Sequence, residues 1–290
     1  MTEQVLLDTD IGSDIDDALC LAYLLAQPDC HLLGVTTVTG ESIRRAMMAD
    51  ALCRVAGREV PVYPGVERPL LLPQQQPTAP QARALANWDH RTDFPTGEAV
   101  NFLRRTIRDH PSAVTLLAIG PLTNIGLLFA MDPQVPALLK RLVIMGGHYA
   151  HRLGDAPLAE WNIRLDPHAA AIVFRSPVDI QAVGLEVTRQ VAMDAAAVRA
   201  RLDVPLLRPV RDFADIYFEH ADRIVFHDPL AALTIFDDQV CTFERGQVTV
   251  ELSSERRQDF THWQPGEGRH RVAATVDSGR FFQQFFAAFA

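Results

Sequence analysis

Five aspartates, Asp8, Asp10, Asp14, Asp16 and Asp17, fall within ten consecutive positions of the segment LLDTDIGSDIDDA, directly behind an apolar run with strand character. Carboxylates a few ångströms apart repel, and one of them keeps its proton near neutral pH unless positive charge sits among them. One source of positive charge is the N-terminus of a following helix. With Asp14 as N-cap, Asp16 and Asp17 fall in the first turn and are stabilised by roughly 0.3–1 kcal/mol each. That is too little for five charges. A divalent cation is the stronger remedy. An oxygen-rich donor set with no thiolate or imidazole cluster suits a hard ion such as Ca²⁺ or Mg²⁺ rather than zinc.

Two later segments carry chemistry of the same kind. In RIVFHDPLAALTIF, His227 and Asp228 precede Pro229 at the start of an apolar helix. Proline at the first helical position would make Asp228 the cap, or leave its side chain to turn to an ion. In LAEWNIRLDPHAA, Glu160, Trp161 and Asn162 stand ahead of a helix opened by Asp166 and Pro167. A Glu and an Asn around an aromatic suit hydroxyl recognition over an apolar platform, and equally suit a decorated surface. His148 and His151 in HYAH lie three apart in a loop with no third ligand, which argues against zinc. The TGE and MGG strings lack the spacing of a phosphate-cradling loop.

These residues must be positioned by the elements around them. Short Val/Ile/Leu-rich runs (QVLLDTD, HLLGVTTVTG, VPVYPG, AVTLLAIG, RLVIMGG, DIQAVGLEV) alternate with amphipathic stretches. Apolar strands buried on both faces and joined by helical crossovers predict an α/β fold, an open, Rossmann-like, mainly parallel sheet flanked by helices. In such sheets ligands bind beyond the carboxyl ends of the strands. The polar and glycine-rich strings DTDIGSDIDD, TVTGES, IGPLTN and MGGHY all follow strands, so they should converge on one crevice. Residues 65–95, rich in proline and glutamine, read as a long excursion across that face, and 150–164 as a second. CTFERGQVTVELSS reads as a hairpin turning at Arg245-Gly246. The tail SGRFFQQFFAAFA reads as a helix capped by Ser278 whose aromatics, four apart, serve core or subunit packing.

Composition narrows the function classes. At 290 residues with 48% hydrophobic content, a large buried core is available. Without internal repeats or a compositional break, residues 1–290 are expected to form a single domain. The net charge of -9 gives no general support for nucleic acid as a partner. No apolar run approaches the roughly 18 residues of a membrane span, and the N-terminal string lacks a signal-like pattern, so a cytoplasmic location is expected. Cys20, Cys30, Cys53 and Cys241 show no C-x-x-C pair and read as buried free thiols.

Taken together and in order, DTDIGSDIDDA, VTTVTG, PVYPGVERPL, IGPLTN, MGG, AEWNIRLDPHAA and HDPLA resemble the inosine-uridine preferring nucleoside hydrolase family, the calcium-dependent nucleoside N-ribohydrolases. The resemblance implies hydrolysis of a ribonucleoside to ribose and free base, with Ca²⁺ as cofactor. By it, Asp10 binds the ion and acts as the base that activates water, Asp17 chelates, and Asp228 and the backbone carbonyl of Ile119 complete the protein ligands. Asp16, Glu160 and Asn162 bind ribose, Trp161 takes the place of the family's usual aromatic, and His227 protonates the departing base. Asp8 is structural. The resemblance also implies a homo-oligomer.

The chain departs from the family pattern at several points. Ser13 and Asp14 are two extra residues, which leaves open a register with Asp14 as a ligand. Glu41 stands where an asparagine is usual and is a candidate for sugar contact. Gly154, beside Asp155, stands where another asparagine reaches the ribose. His90 is the candidate for the histidine usual in the first excursion. Two other readings compete. A haloacid-dehalogenase-like phosphatase would also use DTD at a strand end, but it needs a lysine near a later acidic pair, and Lys140 is the chain's one lysine. A noncatalytic nucleoside- or sugar-binding protein on the same scaffold would be expected to have lost Asp10, Asp17, Asp228 or His227.

Overall fold

The computed structural model describes residues 2–149, 158–253 and 259–290. Its strands are β1 (Glu3–Thr9), β2 (Cys30–Thr37), β3 (Val62–Pro64), β4 (Val114–Ala118), β5 (Arg141–Met145), β6 (Ile180–Val183), β7 (Ala192–Asp194), β8 (Arg223–Val225), β9 (Cys241–Val250), β10 (Thr261–Pro265) and β11 (His270–Val276). Its helices are α1 (Asp16–Ala26), α2 (Ser42–Val55), α3 (Ala99–Asp109), α4 (Thr123–Met131), α5 (Trp161–Leu165), α6 (Pro167–Arg175), α7 (Leu185–Thr188), α8 (Ala195–Arg199), α9 (Arg208–Tyr217), α10 (His227–Leu233) and α11 (Ser278–Ala287).

From one edge the main sheet runs β3-β2-β1-β4-β5-β6, every neighbouring pair parallel. β11 continues in parallel beside β6, and β9 and β10 close the far edge antiparallel. This is the doubly wound Rossmann order, whose strand succession reverses between β1 and β4. The carboxyl ends of those two strands, where Asp10 and Ile119 follow, therefore flank the crevice where such sheets bind ligands.

β1 shows why the sheet forms. From Val5 onward every residue of the strand is buried. Val5 and Leu7 pack into one core cluster and Leu6 into the other, the period-2 alternation of a strand covered on both faces. Each such side chain contributes about 1.5–3 kcal/mol when fully buried. The four cysteines are buried and free.

Two local expectations are corrected. β9 does not turn at Arg245-Gly246 but runs straight through it, pairing with β10 and β11 on either side. Gly246 serves close approach, not a turn: a Cβ there would lie 2.2 Å from the carbonyl oxygen of Gln264 and 2.5 Å from the Trp263 ring. In α11 the cap is Asp277, whose carboxylate accepts the Arg280 N–H at 2.9 Å, and Ser278 is the first helical residue. The aromatic tail packs within its own chain. Phe281 and Phe285 are fully buried and meet the Phe226 ring edge-on at centroid distances of 5.8 and 5.6 Å. Phe226 immediately precedes His227, so the last helix anchors the His-Asp-Pro turn. Among the described residues no helix is long and apolar enough to cross a membrane.

Candidate active site

The N-terminal acids and the distant His-Asp-Pro turn meet. α1 lies against α10, and carboxylate oxygens of Asp16, Asp17 and Asp228 all fall within 4.8 Å of one another, buried. The Asp228 N–H donates to Asp16 Oδ2 at 3.1 Å, and the Thr9 hydroxyl donates to Asp17 Oδ1 at 2.5 Å. The first helix begins one residue later than an Asp14 cap requires. Ile15 holds the N-cap position, while Asp14 is exposed at the cavity mouth and accepts the Ile15 N–H at 2.7 Å. The buried cluster thus uses Asp16 and Asp17. Asp228 is not a cap either. α10 starts at His227, so Asp228 lies in the first turn, and Pro229 still falls where a missing N–H costs no helical bond.

Burial pushes the carboxyls of Asp10, Asp16, Asp17 and Asp228 upward, and their mutual repulsion pushes Asp16, Asp17 and Asp228 further. Among the described residues the opposing charge that acts on Asp10 and Asp17 is Arg45, which is fully buried. Its guanidinium is spent on backbone: it donates to the carbonyls of Asp10 and Ile11, to Gly40 at 2.8 Å and to Thr78 at 2.9 Å. One guanidinium cannot offset four buried carboxylates. Three convergent buried carboxylates, all hard oxygen donors, fit a Ca²⁺ site, with Asp16, Asp17 and Asp228 as the residues that would hold the ion.

A cavity of about 760 Å³ opens over this cluster. Asp10, Asp16, Asp17, Ile119, Glu160, Trp161, Asn162, His227 and Asp228 all line it. Asp10, just past β1, accepts from the Gln76 side-chain amide at 2.6 Å. The Ile119 carbonyl accepts from Asn162 Nδ2 at 2.8 Å. Glu160 caps α5, its carboxylate accepting the N–H groups of Asn162, Ile163 and Gly147 at 2.8, 3.0 and 3.0 Å. Burial raises its pKa against the pull of those three bonds. Trp161 is 46% exposed at the cavity, and its indole N–H donates to Gln76 Oε1. His227 Nδ1 lies 2.7 Å from the Thr188 hydroxyl, and burial, aided by the charge of Arg189, lowers its pKa to about 4.

Two expected residues lie elsewhere. Glu41 takes a left-handed conformation at φ 58°. Its carboxylate accepts the Ala79 N–H at 2.8 Å and pairs with Arg44 at 3.2 Å, so it braces the excursion from outside the cavity lining. His90 is held by its Nδ1 contact to the Trp88 carbonyl at 2.7 Å, also away from the cavity lining. The excursion is tied down on both sides of it: Trp88 donates to Asp212 of α9 at 3.0 Å and Arg91 pairs with Asp50 of α2 at 2.8 Å. The residue of the excursion that enters the site is Gln76. Its place in a run of three glutamines marks it no differently from a solvated polar residue. Gly154, Asp155 and His151 lie outside the described residues. Asp8 is structural as read: it accepts from the Thr36 hydroxyl at 2.5 Å and from Asn124 at 2.7 Å, tying β1 to β2 and α4.

The phosphatase reading fails on placement. Lys140 Nζ pairs with Glu3 at 2.6 Å, where β1 begins, at the opposite end of that strand from Asp10.

Beside the cavity, Glu186 accepts the Tyr149 N–H at 3.1 Å, and its other oxygen has no hydrogen-bond partner among the described residues. Burial raises its pKa from 4.5 to about 7. The folded state therefore binds the extra proton between those values. The stability it contributes is fully present below about 4.5 and is lost as pH rises through about 7. Glu186→Gln is expected to raise the melting temperature above about pH 7 and to flatten its fall with pH. Parallel pH profiles for variant and wild type would assign that dependence to another group.

The sequence profile of the inosine-uridine preferring nucleoside hydrolases matches residues 5–283. The inosine-uridine preferring nucleoside hydrolase of Leishmania major is 31% identical over 304 aligned positions, covering 97% of this chain and 96% of that one. The probable uridine nucleosidase 2 of Oryza sativa subsp. japonica is 32% identical and covers 86% of this chain and 78% of its own. The structure of a plant nucleoside hydrolase, PpNRh1, superposes with a TM-score of 0.84 at 26% identity, over 100% of this chain and 99% of that one. With an acid cluster and a cavity at the sheet's switch point, and with similarity running along nearly its whole length, the chain belongs to the inosine-uridine preferring nucleoside hydrolase family.

Proposed function

We propose that this protein hydrolyses the N-glycosidic bond of ribonucleosides, releasing ribose and free base, with Asp10 and His227 as its acid–base pair. The observation that carries the reading is the buried convergence of Asp16, Asp17 and Asp228 beside Asp10 in one cavity. Glycosidic cleavage develops positive charge on the sugar and negative charge on the base, so an anionic, oxygen-rich pocket stabilises the sugar side.

In this reading Asp10, its carboxylate held by Gln76, takes the proton from the attacking water. Asp16, Glu160 and Asn162 orient the ribose hydroxyls, and the exposed face of Trp161 supplies an apolar floor. Asp10 and the Ile119 carbonyl would add oxygen donors to those of Asp16, Asp17 and Asp228, with Asp16 shared between ion and ribose. When bound, Ca²⁺ supplies Lewis acidity and the positive charge that four crowded carboxylates lack. His227, also on the cavity lining, is neutral. In this reading the Thr188 hydroxyl, 2.7 Å from Nδ1, donates to it, which leaves the ring proton on Nε2, ready to be shared with the departing base. We read the whole chain, 1–290, as one catalytic domain that assembles as a homo-oligomer, which light scattering on the purified protein tests.

The primary test incubates the protein with Ca²⁺ and a panel of purine and pyrimidine ribonucleosides, following reducing sugar and free base. Release of both in equal amounts is expected. A protein that binds Ca²⁺ and nucleoside yet releases neither would be a binding protein. Roles can be separated by leaving group. His227→Ala is expected to lower kcat/KM on inosine by about 10²-fold or more while leaving an activated aryl riboside nearly untouched, as removal of a general acid does. Equal losses on both substrates would remove His227 from the acid's role.

A further inference from the structure

The cavity is electrically lopsided. Among the described residues six carboxylates line it, those of Asp10, Asp14, Asp16, Asp17, Glu160 and Asp228, against a single arginine or lysine, Arg189. The buried acids act chiefly on one another and on Arg45, which sits behind them. Arg189 lies elsewhere on the wall. It closes the short helix α7 at the carboxyl end of β6, its N–H bonded to the Leu185 carbonyl at 3.2 Å. Its guanidinium is exposed and makes no ion pair among the described residues. The residue before it, Thr188, holds the His227 ring at 2.7 Å, and Arg189 and His227 line the same cavity, so one turn of backbone both orients that imidazole and brings the arginine to the cavity it serves.

Resting on the hydrolase reading above, we propose that Arg189 is a further catalytic residue, which binds the departing base and stabilises the negative charge that develops on it. The placement follows the polarity of the reaction. As the C1′–N bond breaks, its electron pair leaves with the base. A permanent cation in the same cavity as His227 lowers the energy of that charge while the carboxylates favour the cationic sugar. A guanidinium is suited to this because it stays protonated throughout and offers several N–H donors to ring nitrogens or exocyclic oxygens of a base. The proton that finally neutralises the base comes from His227, whose ring takes a replacement from solvent and so stays neutral, and Arg189 gives up none.

The test compares wild type, Arg189→Met and Arg189→Lys, all saturated with Ca²⁺, on uridine, inosine and a series of aryl ribosides of graded leaving-group acidity. Arg189→Met is expected to lose about 10²-fold in kcat/KM on uridine and inosine, the scale of removing one preorganised donor to developing charge. It should lose progressively less as the aryl leaving group becomes more acidic, so the dependence of rate on leaving-group basicity steepens. Arg189→Lys, which keeps a charge, should recover part of the loss. A uniform loss across all substrates at unchanged melting temperature would mean that Arg189 only shapes the cavity, and unchanged kinetics would remove it from catalysis. Wild-type protein inactive on every substrate would instead overturn the hydrolase reading itself.

Discussion

Asp10→Ala is expected to abolish turnover, lowering kcat by about 10²–10⁴-fold from loss of the general base alone, and by more if ion binding also weakens. The magnitude follows from position. Asp10 is buried just past β1, at the switch point, with its carboxylate held by Gln76 and its backbone carbonyl by Arg45. Among the described residues no other carboxylate shares that pair of constraints. Stability should move the opposite way. Removing one of four mutually repelling buried carboxylates relieves the cluster, so in chelator the variant should melt at or above the wild-type temperature. Residual rates near wild type, measured as base released from a nucleoside at saturating Ca²⁺, would strip Asp10 of the base's role. A large drop in melting temperature would mark it as structural.

Removal of calcium is the second large effect. Stripping the protein with a calcium-selective chelator should eliminate base release, and adding Ca²⁺ back should restore it. The melt should follow. An ion at a hundredfold excess over its dissociation constant stabilises the folded state by about 2.7 kcal/mol. At roughly 2–4 °C per kcal/mol for a chain of this size, the melting temperature should rise by about 5–10 °C. The driving force is local, because without the ion Asp16, Asp17 and Asp228 are buried within 4.8 Å of one another with no cation between them. Asp228→Ala should cancel most of the shift, since it removes the donor supplied by the distant helix. A melt indifferent to Ca²⁺ in wild type would contradict the site, and an undiminished shift in Asp228→Ala would place the ion elsewhere.

Much of this site is legible in the linear chain because its signals are local. Charge crowding at 8–17 demands a counter-ion whatever the fold, and alternating buried strands and helices demand a parallel sheet with its ligands at the carboxyl ends. The meeting of α1 with the His-Asp-Pro turn was implied by family resemblance, and the distances bear it out. Local rules misled where one residue type serves two purposes. Gly246 resembles a turn glycine but provides room for a neighbouring strand, and Ser278 resembles a cap although Asp277, one position earlier, has the geometry.

The sequence by itself determined an oxygen-donor acid cluster at the end of a strand and a mainly parallel sheet to carry it, while the roles of the Glu-Trp-Asn string and of the histidine were implied by family resemblance. Only the tertiary structure decided which aspartates converge, that Gln76 rather than His90 enters the cavity, that Glu41 stays outside it, and that Arg189 and His227 line the same cavity. The physical reason is range. Strand and helix periods, and repulsion between neighbouring charges, act over a few residues and leave their mark in the order of amino acids. Where a thirty-residue excursion comes to rest is set by bonds such as Trp88 to Asp212 and Arg91 to Asp50, whose partners are brought together only by the finished fold.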